Sequence, residues 1–250
     1  MNVYRNFVFH IGQRGKGNMD LYQRWLQAEM EWIGVYCSKI RRQSLFVTAP
    51  LILAGSTVVI GALSAVGGGS MADLGYGAFG GFMMGAIVCG IFLLVLLPGL
   101  SPKRYGKKID KCVKGLSLSE AEKEQLAREM LEADEKHKIC FTITGPGSKG
   151  TPGKFVLTPH FAFLEGSYPY AILVRLADVA EIRRNEERKT ATERRAKSRM
   201  VYRYTLYTIG FYRKDRLQRG LTETDLPDEA FGFFDVGVRE RVMELLSEVG

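Results

Sequence analysis

Two uninterrupted apolar stretches, Leu45–Val66 and Tyr76–Leu97, constrain this chain more than any other feature. Each is 22 residues long and holds no Asp, Glu, Lys, Arg or His. A helix rises about 1.5 Å per residue, so such a segment just covers the roughly 30 Å hydrocarbon core of a bilayer. The glycine-rich segment between them, Gly67–Gly75, is short enough to return the chain as a hairpin. A secretory h-region covers about 7–15 residues near the start of a chain, whereas 44 residues of mixed polarity precede the first stretch here. The expectation is an α+β membrane protein, with a two-helix transmembrane hairpin over 45–99 and a large polar part after it.

Charge orients the hairpin. Lys39, Arg41 and Arg42 precede the first stretch, and Lys103, Arg104, Lys107, Lys108, Lys111 and Lys114 follow the second. The turn between them carries a single charge, Asp73. Lysine and arginine collect on cytoplasmic flanks, so a multi-pass protein of the cell membrane with both termini in the cytoplasm is expected. Within the spans, Thr57, Gly61 and Ala65 recur at four-residue steps, as do Gly77, Gly81 and Gly85. Small residues at that spacing let helix backbones approach closely, either within the hairpin or between copies in a homo-oligomer. Neither span contains a charged residue of the kind that marks an ion path or proton relay.

Outside the spans the chain divides into residues 1–44, 100–137 and 138–250. Residues 1–18 show no period. From Met19 a helical stripe of Leu21, Trp25, Trp32, Ile33, Tyr36 and Ile40 emerges, which could lie among headgroups or pack on the soluble domain. Ser119 with Glu122 forms a capping-box signature that opens a helix over Glu120–Glu135, read as a connector spacing the domain from the bilayer. From Lys138 the period changes to two, and aromatic and β-branched segments alternate with turns. They are Ile139–Ile143, Phe155–Leu157, Phe161–Glu165, Tyr170–Leu176, Val179–Arg184, Val201–Tyr212 and Phe231–Val236. A final helical stripe, Val238, Val242, Leu245, Leu246 and Val249, closes the chain. Residues 138–250 thus read as a self-contained cytoplasmic antiparallel β domain with a C-terminal helix.

Three segments carry a resemblance: KFVLTPHFAFLEG (Lys154–Gly166), LVRLADVAEI (Leu173–Ile182) and FGFFDVGVRERVMELLSEV (Phe231–Val249). Their order of strand, turn, strand and closing helix resembles the pleckstrin-homology-like domains of bacterial membrane-anchored proteins. The resemblance implies a bent antiparallel sheet closed by the last helix, and roles in interaction and assembly; it names no ligand. A long basic insertion after Ile182 departs from that pattern.

No catalytic signature stands out. Gly145–Lys154 superficially suggests a phosphate loop, but it lacks the Gly-Lys-Ser/Thr ending and the helix that would follow, and reads as a flexible hairpin loop. His10, His137 and His160 are scattered, and Cys37, Cys89, Cys112 and Cys140 lack metal-site spacing, so neither metal nor cofactor is expected. The notable polar feature is Arg183–Arg203, with nine basic and three acidic residues in a chain of net charge +8. Arg183, Arg184, Arg188, Lys189, Arg194, Arg195, Lys197 and Arg199 are the candidate contacts to the anionic membrane surface. Nucleic acid is disfavoured, since the aromatic residues sit in flanking strands with core-like alternation. A simply solvated hairpin remains open as the other reading of this run. Two functions follow: a non-catalytic, membrane-anchored interaction module that binds membrane lipids or a protein partner, or a small accessory subunit of a membrane transport or envelope assembly.

Overall fold

The computed structural model describes residues 20–66, 70–145, 150–166, 171–195, 198–217 and 225–249. The candidate irregular segment 1–18 and Lys197 lie outside these residues. Two long rods dominate the first half. Helix α1 (Leu21–Gln43) passes through a π-helical turn, Ser44–Thr48, into α2 (Ala49–Val66) without a break. Pro50 lacks an N–H and its ring crowds the carbonyl one turn earlier, and a widened turn just before it relieves that conflict. The chain returns as α3 (Met71–Gly99) and, after a step at Leu100–Ser101, as α4 (Pro102–Gly115). The turn is shorter than expected, because α3 starts at Met71: the Asp73 carboxylate accepts the Ser70 N–H at 2.7 Å, a capping interaction that satisfies one end donor.

Helix α5 (Glu120–Glu132) starts at the expected cap, with the Ser119 N–H donating to Glu122 at 2.8 Å. Its role differs from a spacer: Leu126 and Ala127 are fully buried. Strands β1 (Lys138–Ile143), β2 (Thr151–Leu157), β3 (Phe161–Glu165) and β4 (Ala171–Arg175) form one antiparallel meander. Strands β5 (Val179–Arg195), β6 (Ser198–Arg213) and β7 (Glu229–Phe233) form a second. A short helix α6 (Lys214–Leu217) follows β6, and α7 (Val236–Val249) ends the described chain.

Strands β2, β3 and β4 of the first sheet are buried on both faces, whereas the edge strand β1 leaves Cys140 and Thr142 exposed. On one side Phe155, Leu157, Leu164 and Ile172 meet Ile209, Phe211, Phe231 and Phe233 of the second sheet and Val238, Val242 and Leu246 of α7. On the other, Val156, Phe161, Phe163 and Leu173 pack on Tyr22, Trp25 and Leu26 of α1, Ile109 and Val113 of α4, and Leu126 and Met130 of α5. Strands covered on both faces read as continuous apolar runs, which is why FAFLE is buried at every position. The packing unit therefore crosses the division expected at residue 138: the helices before it form a third layer of the domain. The first part of the stripe on α1 packs on the domain, with Trp25 edge-on to Phe163 at a ring-centroid distance of 5.7 Å, while Trp32, Tyr36 and Ile40 further along are only partly buried.

Candidate functional site

Three features stand out, and the first is the apolar rod pair. Helices α2 and α3 touch along a narrow face. Gly61 lies against Ala78, Gly77 against Ser64, and Gly85 against Ser56. At Gly81 the backbones themselves approach most closely: a Cβ there would come within 2.6 Å of the Ser56 carbonyl oxygen and 2.9 Å of the Thr57 Cα. Thr57 is half-buried and returns its hydroxyl to the Leu53 carbonyl at 2.8 Å, so no side-chain donor is stranded. Ala65 lies off this face and is exposed. The rest of the rod surface is bare hydrocarbon. Only 11% and 17% of the two apolar windows is buried, and Leu63, Leu94 and Val95 are each at least two-thirds exposed. Helices α1–α2 and α3–α4 are thus long and apolar enough to cross a membrane.

The second feature is a charged junction where the rods enter the domain. Glu29 of α1, Lys154 of β2 and Glu165 of β3 are all buried. Lys154 Nζ bonds the Glu29 carboxylate and lies 3.1 Å from Glu165 Oε2, with its charge 4.7 Å from the Trp32 ring centre. Trp25 Nε1 donates to Glu29 at 3.0 Å. Burial disfavours the Lys154 cation, but Glu165 and Glu29 together raise its pKa. Burial likewise acts to raise Glu29, and the Lys154 charge overcomes it and holds the carboxylate ionised. Burial, followed by the negative charge of Glu29, pushes Glu165 well above the usual carboxylate range. The consistent state near neutrality is one ionised pair, Glu29 and Lys154, beside a protonated Glu165. Tyr105 of α4 closes the group, its hydroxyl pKa raised by burial and then by Glu165.

Sequence reasoning missed this junction. Lys154 belongs to strand β2, which begins at Thr151, so the loop expected over Gly145–Lys154 gives way to a strand before its end. The available signal was Glu29, one turn from Trp25 and from Ile33 on the apolar stripe of α1.

The third feature is the basic run. It forms a two-stranded ribbon: β5 and β6 stay paired to Arg195↔Ser198, whereas β7 covers only Tyr207–Phe211 of β6. Arg183 is held by Glu181 at 2.7 Å and stacks over Tyr212, and Arg184 reaches Glu240 of α7 at 3.2 Å. Lys189 pairs with Glu187 at 2.8 Å. Arg188 and Arg203 are exposed beyond the three-stranded sheet, and the register sets Arg194 opposite Arg199. The seven candidate contacts among the described residues therefore split. Arg183 and Arg184 belong to the body, and Arg188, Lys189, Arg194, Arg195 and Arg199 lie on the extension.

Comparison with protein-family models, with known proteins and with solved structures finds no match to this chain.

Proposed function

We propose that the chain is a membrane-anchored binding module without a catalytic step. In this reading α2 and α3 cross the bilayer as a hairpin, and both ends remain on the basic, cytoplasmic side. The β domain, pleckstrin-homology-like in its order of four strands, three strands and closing helix, engages a partner at the membrane. The observation that carries the reading is the continuity of the rods. The helices bearing bare hydrocarbon lead into the core, α2 through the unbroken helix from α1 and α3 across a two-residue step into α4, with Trp25 and Ile109 fully buried, so the domain is built onto its anchor rather than tethered to it. So large an exposed apolar surface is unstable in water and favours lipid. A binding role fits better than catalysis because the charged cluster is sealed: Glu165 is 0% exposed and Glu29 5%.

Purification of the full chain in mild detergent, with identification of what accompanies it, tests the reading. A chain that folds and is extracted alone, gaining partners only through its polar domain, is the expected result. Integral membrane proteins retained in fixed ratio would make it instead an accessory subunit of a transport or envelope assembly.

A further inference from the structure

We infer that the β5–β6 ribbon docks on the anionic headgroups of the leaflet into which its own α2–α3 hairpin inserts, an inference that rests on the anchoring reading above. Direction, reach and charge carry it. Along α1, Trp25 meets Phe163, then Glu29 meets Lys154, then Trp32 covers Lys154, and the helix continues into the apolar segment. The end of the first sheet that bears Glu165 and Thr151 therefore faces the apolar rods. Phe234 packs on Gly145 at that end, Phe233 on Phe141, and Tyr204 of the ribbon on Phe234 at 5.6 Å. The ribbon thus leaves the body at the corner nearest the membrane.

Its length matches the gap. From Trp32 to Leu45, where the apolar stretch starts, α1 and its π turn cover thirteen residues, or about 20 Å at helical rise. From Leu206 to Ser198 the ribbon projects eight residues, or about 26 Å at strand rise, enough to close the gap even when inclined.

Its charge selects the occupant. Residues 188–205 hold seven basic side chains and one acidic, and Thr190, Thr192, Val201 and Arg203 are exposed beside Arg188. The outward face of α4 adds Lys103, Arg104, Lys107, Lys108 and Lys111, all exposed, so two basic surfaces would border the same leaflet. Like charges held close repel, and a shared anionic surface relieves that repulsion; a second copy of the same ribbon would increase it.

The test uses the full chain in nanodiscs, made from phosphatidylcholine alone or with phosphatidylglycerol. A bimane on Thr192→Cys, in a Cys140→Ser background, reports proximity to headgroups bearing a nitroxide quencher. Quenching several-fold stronger in the anionic discs, lost at high salt and lost in Arg188→Gln/Lys189→Gln/Arg203→Gln, is the expected result. Equal quenching in both discs, or none in either while the chain stays inserted, would overturn the docking and leave the anchor intact. An unquenched ribbon that instead holds an acidic protein would overturn it in favour of a protein partner. Failure of the chain to enter discs at all, with the domain folded, would strike the anchoring reading itself.

Discussion

Lys154→Met is the most informative single change in the domain. The substitution keeps the aliphatic stem of Lys154 but removes a cation bonded to Glu29 and 3.1 Å from Glu165. Glu29 is then an ionised carboxylate at 5% exposure without its counter-charge. Breaking one partner of a buried pair costs about 3–5 kcal/mol, a large share of the roughly 5–15 kcal/mol that holds a domain together. The assay is unfolding of the full chain in detergent, followed by tryptophan fluorescence. Both tryptophans, Trp25 and Trp32, touch the junction, so the signal reports on this site. The pH dependence supplies an independent check. Glu165 has a raised pKa when folded, so above the ordinary carboxylate range the native state binds a proton that the unfolded state has released. Its contribution is full below the unfolded pKa and is lost as pH rises through the folded one, by at most about 1.4 kcal/mol per pH unit. Glu29 runs the other way: its pKa is lowered, and its contribution is lost in acid. Glu165→Gln, which mimics the protonated acid, should abolish the loss of stability that sets in as pH rises above the ordinary carboxylate range. A cost below about 1 kcal/mol for Lys154→Met, or a pH slope above the ordinary carboxylate range that is unchanged in Glu165→Gln, would refute the assigned charge states.

Four further outcomes are expected. Gly81→Val should force α2 and α3 apart, because its side chain would meet the Ser56 carbonyl and the Thr57 backbone; spin labels at Leu63 and Leu74 should report a longer distance than in the parent. Gly166 sits at φ +82° with the Pro152 carbonyl oxygen 2.2 Å from where a Cβ would stand, so Gly166→Ala should lower domain stability by more than the roughly 1–3 kcal/mol of backbone strain alone, read as a fall in Tm. Residues 138–250 expressed alone should aggregate or stay molten, because Val156, Phe161, Phe163 and Leu173 lose their helical cover. A chain joining residues 20–34 by a short linker to 102–249 should give a cooperative thermal transition, since Pro102 lies beside Gly34.

The parts of the fold visible in the sequence were those encoded locally. The two apolar stretches, the Ser119–Glu122 cap and the passage from Phe231 through Val249 each depend on neighbours within a turn or two of chain. The helical layer over the first sheet was not visible, because Ile109 and Val113 lie in a segment dominated by lysine and the sheet residues they cover, from Val156 to Leu173, are more than forty residues away. The shorter turn could have been read: Ser70 and Asp73 have the same spacing as Ser119 and Glu122, but the flanking glycines masked that signal. The charged junction depends on three distant residues meeting, and neither Lys154 nor Glu165 departs from strand-like alternation in a way that marks it. The basic run was plain as charge; its form as a paired ribbon followed from the register of β5 on β6, which composition does not specify.

Labelling of intact cells tests the central claim most directly. A cysteine placed at Ser70, the cap of α3 at the turn between the rods, should react with a membrane-impermeant maleimide from outside, while the exposed native Cys140 on β1 stays unmodified until the cells are opened. Modification of Cys140 in sealed cells, or protection of the residue-70 cysteine until lysis, would contradict a hairpin anchor with its β domain on the cytoplasmic side.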